Sequence, residues 1–129
     1  MTANKDQVKF FNSVHSYSQL VLLPWGFSRE DCPNHDKMQA FAEKANQALF
    51  EVHGTSYDVG CIPCLLYIAS GGSMDWALGE LGIPYSYGME LRDTGLNGFV
   101  LPPEEIIPTG EEFWAFHKSA GEQIIEEFA

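Results

Sequence analysis

Val8-Lys9-Phe10-Phe11-Asn12-Ser13-Val14-His15-Ser16-Tyr17-Ser18-Gln19-Leu20-Val21-Leu22-Leu23-Pro24-Trp25-Gly26 is the stretch on which the reading of this chain turns. From Val8 to Val14 only Lys9, Asn12 and Ser13 interrupt an apolar run, and Gln19 to Leu23 ends in four aliphatic residues. Both runs predict buried strands, the second stopped by Pro24-Trp25-Gly26. The polar phrase between them therefore places an imidazole and a phenol at a strand end.

Beyond Gly26 the chain is loop-like as far as Asn34, and then the period changes. Met38, Phe41, Ala42, Ala45, Ala48, Leu49 and Val52 recur at helical spacing and predict a helix over Asp36–His53. Asn34 is placed to cap its start and Gly54 its end. A short strand is expected at Ser56–Val59. Met74–Leu81 reads as a short helix with Ser73 as N-cap, Asp75 complementing the dipole, and Gly82 with Pro84 as the stop. Tyr85–Leu91 alternates as a strand does and turns at Arg92-Asp93-Thr94-Gly95. The last helix should put Phe113, Phe116, Ala120 and Ile124 on one face, and Thr109 with Glu112 has capping-box spacing. Strands alternating with helices predict a layered α/β fold. Sites in such folds form at the carboxyl ends of strands, where His15, Tyr17 and Glu90 fall.

Composition narrows the functional classes. A chain of 129 residues, 45% apolar and 19% charged, can build one globular core and is not a disordered segment. No stretch approaches the ~18 apolar residues of a membrane helix, and Thr2-Ala3-Asn4-Lys5-Asp6 lacks the apolar centre of a signal peptide. The formal net charge is −11, and Arg29 and Arg92 are the only arginines. Nucleic-acid binding needs a basic footprint, and this chain has none. The acids near the end, Glu104, Glu105, Glu111, Glu112, Glu122, Glu126 and Glu127, read as a solvated helix face.

Three cysteines, Cys32, Cys61 and Cys64, leave at least one unpaired within the chain. Cys61-Ile62-Pro63-Cys64 has the spacing of a thiol-redox pair. Against that reading, no long apolar strand precedes it and no βαβ unit surrounds it. The alternative is a structural bridge from Cys32 to Cys61 or Cys64, and spacing alone does not choose the partner.

Two further phrases carry chemistry: Tyr67-Ile68-Ala69-Ser70-Gly71-Gly72-Ser73-Met74-Asp75-Trp76 and Glu90-Leu91-Arg92-Asp93-Thr94-Gly95. Each of these residues has an ordinary structural reading beside the chemical one: His15 as a buried, hydrogen-bonded imidazole, Tyr67 as a core aromatic and Glu90 as an ion-pair partner of Arg92. Glycines at 71 and 72 would let backbone approach a ligand closely.

Taken together with His15-Ser16-Tyr17-Ser18-Gln19, the order and wording of these phrases resemble the C-terminal half of the zinc carboxypeptidases of the A/B type, from about Lys9 to Phe128. The resemblance implies the C-terminal part of a three-layer α/β/α fold with a mixed sheet, so that residues 1–129 form a single partial domain. It implies zinc as cofactor with His15 as one metal ligand and Glu90 as general base. It implies substrate contacts from Ser16, Tyr17, Tyr67, Met74 and Phe99, with Leu66 and Gly88 as pocket neighbours. Tyr67 matches the tyrosine that closes over a bound C-terminus. Met74 stands at the position that sets side-chain preference; apolar or aromatic residues are expected, because an unpaired cation is costly in an apolar pocket.

The resemblance further implies a secreted protein acting on peptide C-termini, and in that compartment favours the structural Cys32 bridge. It implies non-proline cis bonds at Ser16-Tyr17, Pro24-Trp25 and Arg92-Asp93, and a last helix starting near Glu104 with Pro108 in its first turn, where proline is tolerated. No His-x-x-Glu pair occurs: Ser18, Met38, Ser56 and Ala120 stand three places after the four histidines. The family's other two zinc ligands and its substrate-binding arginines are thus expected outside this chain, leaving it inactive alone, with an exposed first strand and the missing half as a partner. The alternative is a non-catalytic binding module or decoy of the same fold.

Overall fold

The computed structural model describes residues 2–129. Four strands, β1 (Phe10–Ser16), β2 (Leu20–Leu23), β3 (Asp58–Cys61) and β4 (Tyr85–Leu91), form one sheet in the order β1-β4-β2-β3. β1 runs parallel to β4, β4 antiparallel to β2, and β2 parallel to β3. The helices are α1 (His35–His53), α2 (Ile62–Leu65), α3 (Ser73–Gly79) and α4 (Ile106–Phe128). Every residue of β2 is buried, as an aliphatic run flanked by strands and covered on both faces should be.

Side-chain alternation along β4 divides the two faces. Tyr85, Tyr87 and Met89 enter the main core with Met38, Phe41, Ala42, Ala45 and Leu49 of α1 and Phe116 and Ala120 of α4. Ser86 and Gly88 face the other way, toward α3: the Ser86 hydroxyl donates to the Met74 carbonyl at 2.8 Å, and Gly88 lies against the Met74 side chain. Leu20, Leu22, Ile62 and Met74 form the core on this second face. The result is the expected mixed-sheet α/β arrangement with helices on both sides. The packing of Phe41 on Tyr85, with ring centroids 4.1 Å apart, is characteristic of the first face.

β1 lies at one edge of the sheet, and Val14, His15 and Ser16 at its end are exposed. The exposed first strand is therefore present. All three non-proline cis bonds occur where expected. α4 follows a turn of 3-10 helix at Pro103–Glu105, with Pro108 in its first turn.

Several local expectations are corrected. Cys61 is bridged to Cys64, and Cys32 is free and buried in the main core, so the Cys32 bridge does not form. The short strand expected at Ser56–Val59 is present as β3, two residues later, with Cys61 as its last residue, and it runs parallel to β2. Asn34 precedes α1 in the left-handed region and makes no side-chain cap, whereas Gly54 ends that helix at φ 75° as expected. Gly72, not Ser73, is the N-cap of α3.

Glu112 does not cap α4 either. It is fully buried and accepts hydrogen bonds from Arg92 Nε at 2.9 Å, from Arg92 Nη2 and from Thr55 Oγ1. Glu105 completes the shell of Arg92, so Arg92 is not the partner of Glu90. A buried charge is tolerated only when paired in this way. One member of the expected solvated acidic face is thus an interior ion.

Candidate active site

Period-two alternation decides where the candidate residues meet. Phe10 of β1 packs on Phe41, Tyr87 and His117, so it faces α1 and α4. Phe11 packs on the opposite cores with Met74 and Ala77. Ser13 and His15 share the Phe11 face, and Glu90 shares the Gly88 face of β4, which is the same side of the sheet. In the parallel β1–β4 ladder His15 and Glu90 are direct partners. An imidazole and a carboxylate therefore stand side by side, on adjacent strands about 4.8 Å apart, on the face that carries Met74.

Glu90 is half-buried. Burial pushes its carboxyl above the usual carboxylate range, and the neighbouring His15 works against that rise. His15 is exposed, and its Nε2 lies 2.8 Å from Ser13 Oγ. That contact orients the ring and leaves Nδ1 for a further partner, the arrangement in which a histidine can ligate a metal. Ser13 was not singled out from sequence, although its place two residues before His15 on one strand face was a usable signal. His117 is the contrasting case: its Nδ1 bonds the Phe113 carbonyl at 2.8 Å, its Nε2 meets Asn12 at 3.0 Å, and burial lowers its pKa. It is the ordinary satisfied interior imidazole.

Around this pair the chain builds a wall. The turn after β1 is tied to β4 by the Ser18 and Gln19 N–H groups, which both donate to the Leu91 carbonyl. Ser16 is exposed at the end of β1. Tyr17 meets Phe99 edge-on with ring centroids 5.0 Å apart. Phe99 is held there by the loop after β4, where the Asp93 carboxylate accepts from the N–H groups of Gly95, Asn97 and Gly98. Those bonds lower its pKa.

Met74 is buried between Leu20, Leu22 and Ile62. Gly88 is required below it: a Cβ there would lie 2.7 Å from Met74 Cε. Asp75, expected only to complement a helix dipole, is itself buried and accepts the Gly26 N–H with both oxygens at 3.0 Å, pinning the turn after Pro24-Trp25. Burial raises its pKa, against the pull of the Gly26 and Phe27 N–H groups. A cleft of about 600 Å³ opens beside it, lined by Trp25, Phe27, Gly72 and Trp76, and does not take in His15 or Glu90.

Tyr67 stands apart. It is 69% exposed, on the segment between α2 and α3. The structure thus brings together His15, Glu90, Met74 and Gly88 on one sheet face and Tyr17 with Phe99 at its end, and leaves Tyr67 free in solvent. Among the described residues, no group of three His, Cys, Asp or Glu side chains could hold a metal ion.

The zinc carboxypeptidase family model matches residues 1–116, and the chain belongs to that family. It is 48% identical over 118 residues to carboxypeptidase A2 of Rattus norvegicus, covering 92% of this chain and 28% of that protein. It is 49% identical over 105 residues to carboxypeptidase B of Astacus astacus, covering 81% of this chain and 35% of that one. The structure of bovine thrombin-activatable fibrinolysis inhibitor in complex with tick carboxypeptidase inhibitor superposes with a TM-score of 0.93 at 35% identity, over 97% of this chain and 42% of that one. The chain therefore spans about a third of the length of such relatives. No helix among the described residues is long and apolar enough to cross a membrane.

Proposed function

We propose that this chain is the C-terminal, pocket-bearing part of a secreted zinc metallocarboxypeptidase that removes apolar or aromatic residues from peptide C-termini, and that it is inactive without the rest of the domain. The observation that carries this reading is the in-register pairing of His15 with Glu90 on the sheet face that holds Met74. Extracellular placement rests on the family resemblance.

In this reading Glu90 takes the proton from the attacking water. A carboxylate raised by burial is a better base at neutral pH than an exposed one. Met74, among Leu20, Leu22 and Ile62, offers an arriving side chain an apolar floor with no counter-charge, so a lysine or arginine would enter unpaired and at a penalty. Tyr17 and Phe99 flank the substrate beyond Ser16, and Tyr67 closes over its end. Residues 1–129 act as one partial domain, and the edge of β1 is where the remainder would pair.

Catalytic zinc takes three protein ligands with one open position. His15 is one donor, and the described residues offer no set of three, so the side chains present do not fit the metal by themselves. The same shortage favours a second reading, a non-catalytic module or decoy that keeps the pocket wall. An assay of the purified chain with a blocked dipeptide ending in phenylalanine and added zinc tests the first reading. We expect no chelator-sensitive turnover; sustained turnover would contradict the proposed incompleteness. Tight, saturable binding of the dipeptide by the chain alone would favour the decoy.

A further inference from the structure

The Cys61–Cys64 bridge has no part in the chemistry above. It joins the last residue of β3 to α2, and its two ends are unequal: Cys61 is buried and Cys64 exposed. In thiol–disulfide exchange a thiolate attacks the sulfur it can reach, and of the two residues Cys64 is the exposed one. The ring it closes spans a sequence separation of only 3, and short rings restrict the unfolded chain least. The bridge therefore grips locally.

What it grips is the approach to Tyr67. Leu66, Tyr67 and Ile68 are all exposed, and residues 67–72 belong to no helix or strand. On one side the segment is anchored through Ile62, which packs on Leu20, Leu22 and Met74. In its middle the Ala69 N–H donates to the Gly26 carbonyl at 2.7 Å. The disulfide closes the turn that holds the first anchor, with Ile62 inside its ring.

We propose that Cys61–Cys64 is a thiol–disulfide exchange site, entered at Cys64 by small thiols of the glutathione class, and that its redox state sets the order of residues 65–72. The incoming thiolate bonds to Cys64 Sγ, the Cys64–Cys61 bond breaks, and Cys61 Sγ leaves as a thiolate that takes up a proton. A second thiolate attacks the small thiol's own sulfur in the mixed disulfide and releases Cys64 as a thiolate. Two small thiols are oxidised to one disulfide while the protein bridge is reduced to two thiols, and the oxidised small disulfide runs the steps in reverse. Cys32 stays out of the exchange because it is buried in the main core, and burial pushes its thiol up to about 11. The exchange chemistry is independent of the peptidase reading. Only the consequence for a tyrosine that closes over substrate rests on it.

The test uses the whole chain, native, equilibrated in mixtures of reduced and oxidised glutathione. Thiols are trapped by alkylation and located by peptide mass spectrometry, and amide hydrogen exchange is read in both states. We expect Cys64 to be alkylated in the native protein once the bridge is reduced, Cys61 to follow as residues 65–72 loosen, and Cys32 to be labelled only after denaturation. In a Cys61→Ser variant the glutathione adduct should map to Cys64. Amides of residues 65–72 should exchange several-fold faster after reduction, with those of β2 and β4 unchanged. A bridge that resists glutathione until the protein unfolds, or labelling of Cys32 in step with the pair, would overturn the exchange site. Acceleration spread over the whole core, or none at residues 65–72, would overturn the switch. Should the variant fold poorly, the unmodified chain still supplies the alkylation and hydrogen-exchange readouts, either of which can overturn the proposal.

Discussion

Replacing Glu112 by glutamine removes the buried charge at the centre of the Arg92 cluster. Glu112 is 0% exposed and receives Arg92 Nε, Arg92 Nη2 and Thr55 Oγ1. In the Glu112→Gln protein the amide nitrogen replaces one acceptor with a donor facing the guanidinium. Breaking a buried ion pair from one side costs about 3–5 kcal/mol, because the other charge is left behind. Here Arg92 keeps Glu105, whose side chain is 37% exposed, as a second partner, so the expected loss is about 3 kcal/mol, at the lower end of that range. A complete domain holds roughly 5–15 kcal/mol in all, so a loss of this size in a partial domain should lower the melting point well below that of the parent. Urea unfolding followed by fluorescence of Trp25, Trp76 and Trp114, at low concentration, reads the change. The midpoint should fall with an unchanged slope. In a cycle with Arg92→Met the double variant should be less destabilised than the sum of the two singles. Glu105→Gln should cost no more than about 1 kcal/mol, as a surface pair does. A loss below about 1 kcal/mol for Glu112→Gln, or strict additivity with Arg92→Met, would refute the buried-pair reasoning.

Two further outcomes follow from the site. Burial raises the folded-state pKa of Asp75, so the stability it contributes is full below the unfolded value of about 3.9 and is lost as pH rises through the folded value. The stability of the parent relative to Asp75→Asn should therefore increase as pH falls from neutral toward that value in paired melts; a flat or opposite trend contradicts the assignment. Gly88→Ala should cost about 1 kcal/mol, because the new Cβ displaces the adaptable end of Met74. In a Met74→Ala background that penalty should vanish, and an unchanged penalty there would show that Met74 does not fill the space.

How much could be read in advance depended on the range of the interaction. β4 was found with its observed ends and α1 to within a residue, because alternation and helical period are local properties. The shared face of His15 and Glu90 was half legible. Alternation places each on a side of its own strand, but only the β1–β4 register brings the sides together. The cysteine pairing was not legible, since Cys32 lies within reach of either partner along the sequence and only the folded chain shows it free and buried among the side chains of α1. Thr109 and Glu112 had capping-box spacing, yet Arg92, twenty positions earlier, claims the carboxylate. A buried guanidinium outbids a backbone N–H because the charge-assisted bond is the stronger one. Asp75 does stand in the first turn of α3 as its position implies, but its bond to the Gly26 N–H, forty-nine positions away, has no local signal.

The most direct test of the account is a graft of Lys9 to Phe128 in place of the matching segment of rat carboxypeptidase A2, to which the chain is 48% identical. The folded chimera should hydrolyse a blocked dipeptide ending in phenylalanine in a chelator-sensitive way, and His15→Ala and Glu90→Gln should each abolish turnover while leaving the fold cooperative. A folded chimera with no such turnover, or turnover that survives either substitution, would contradict the assignment of this residue pair to one active site.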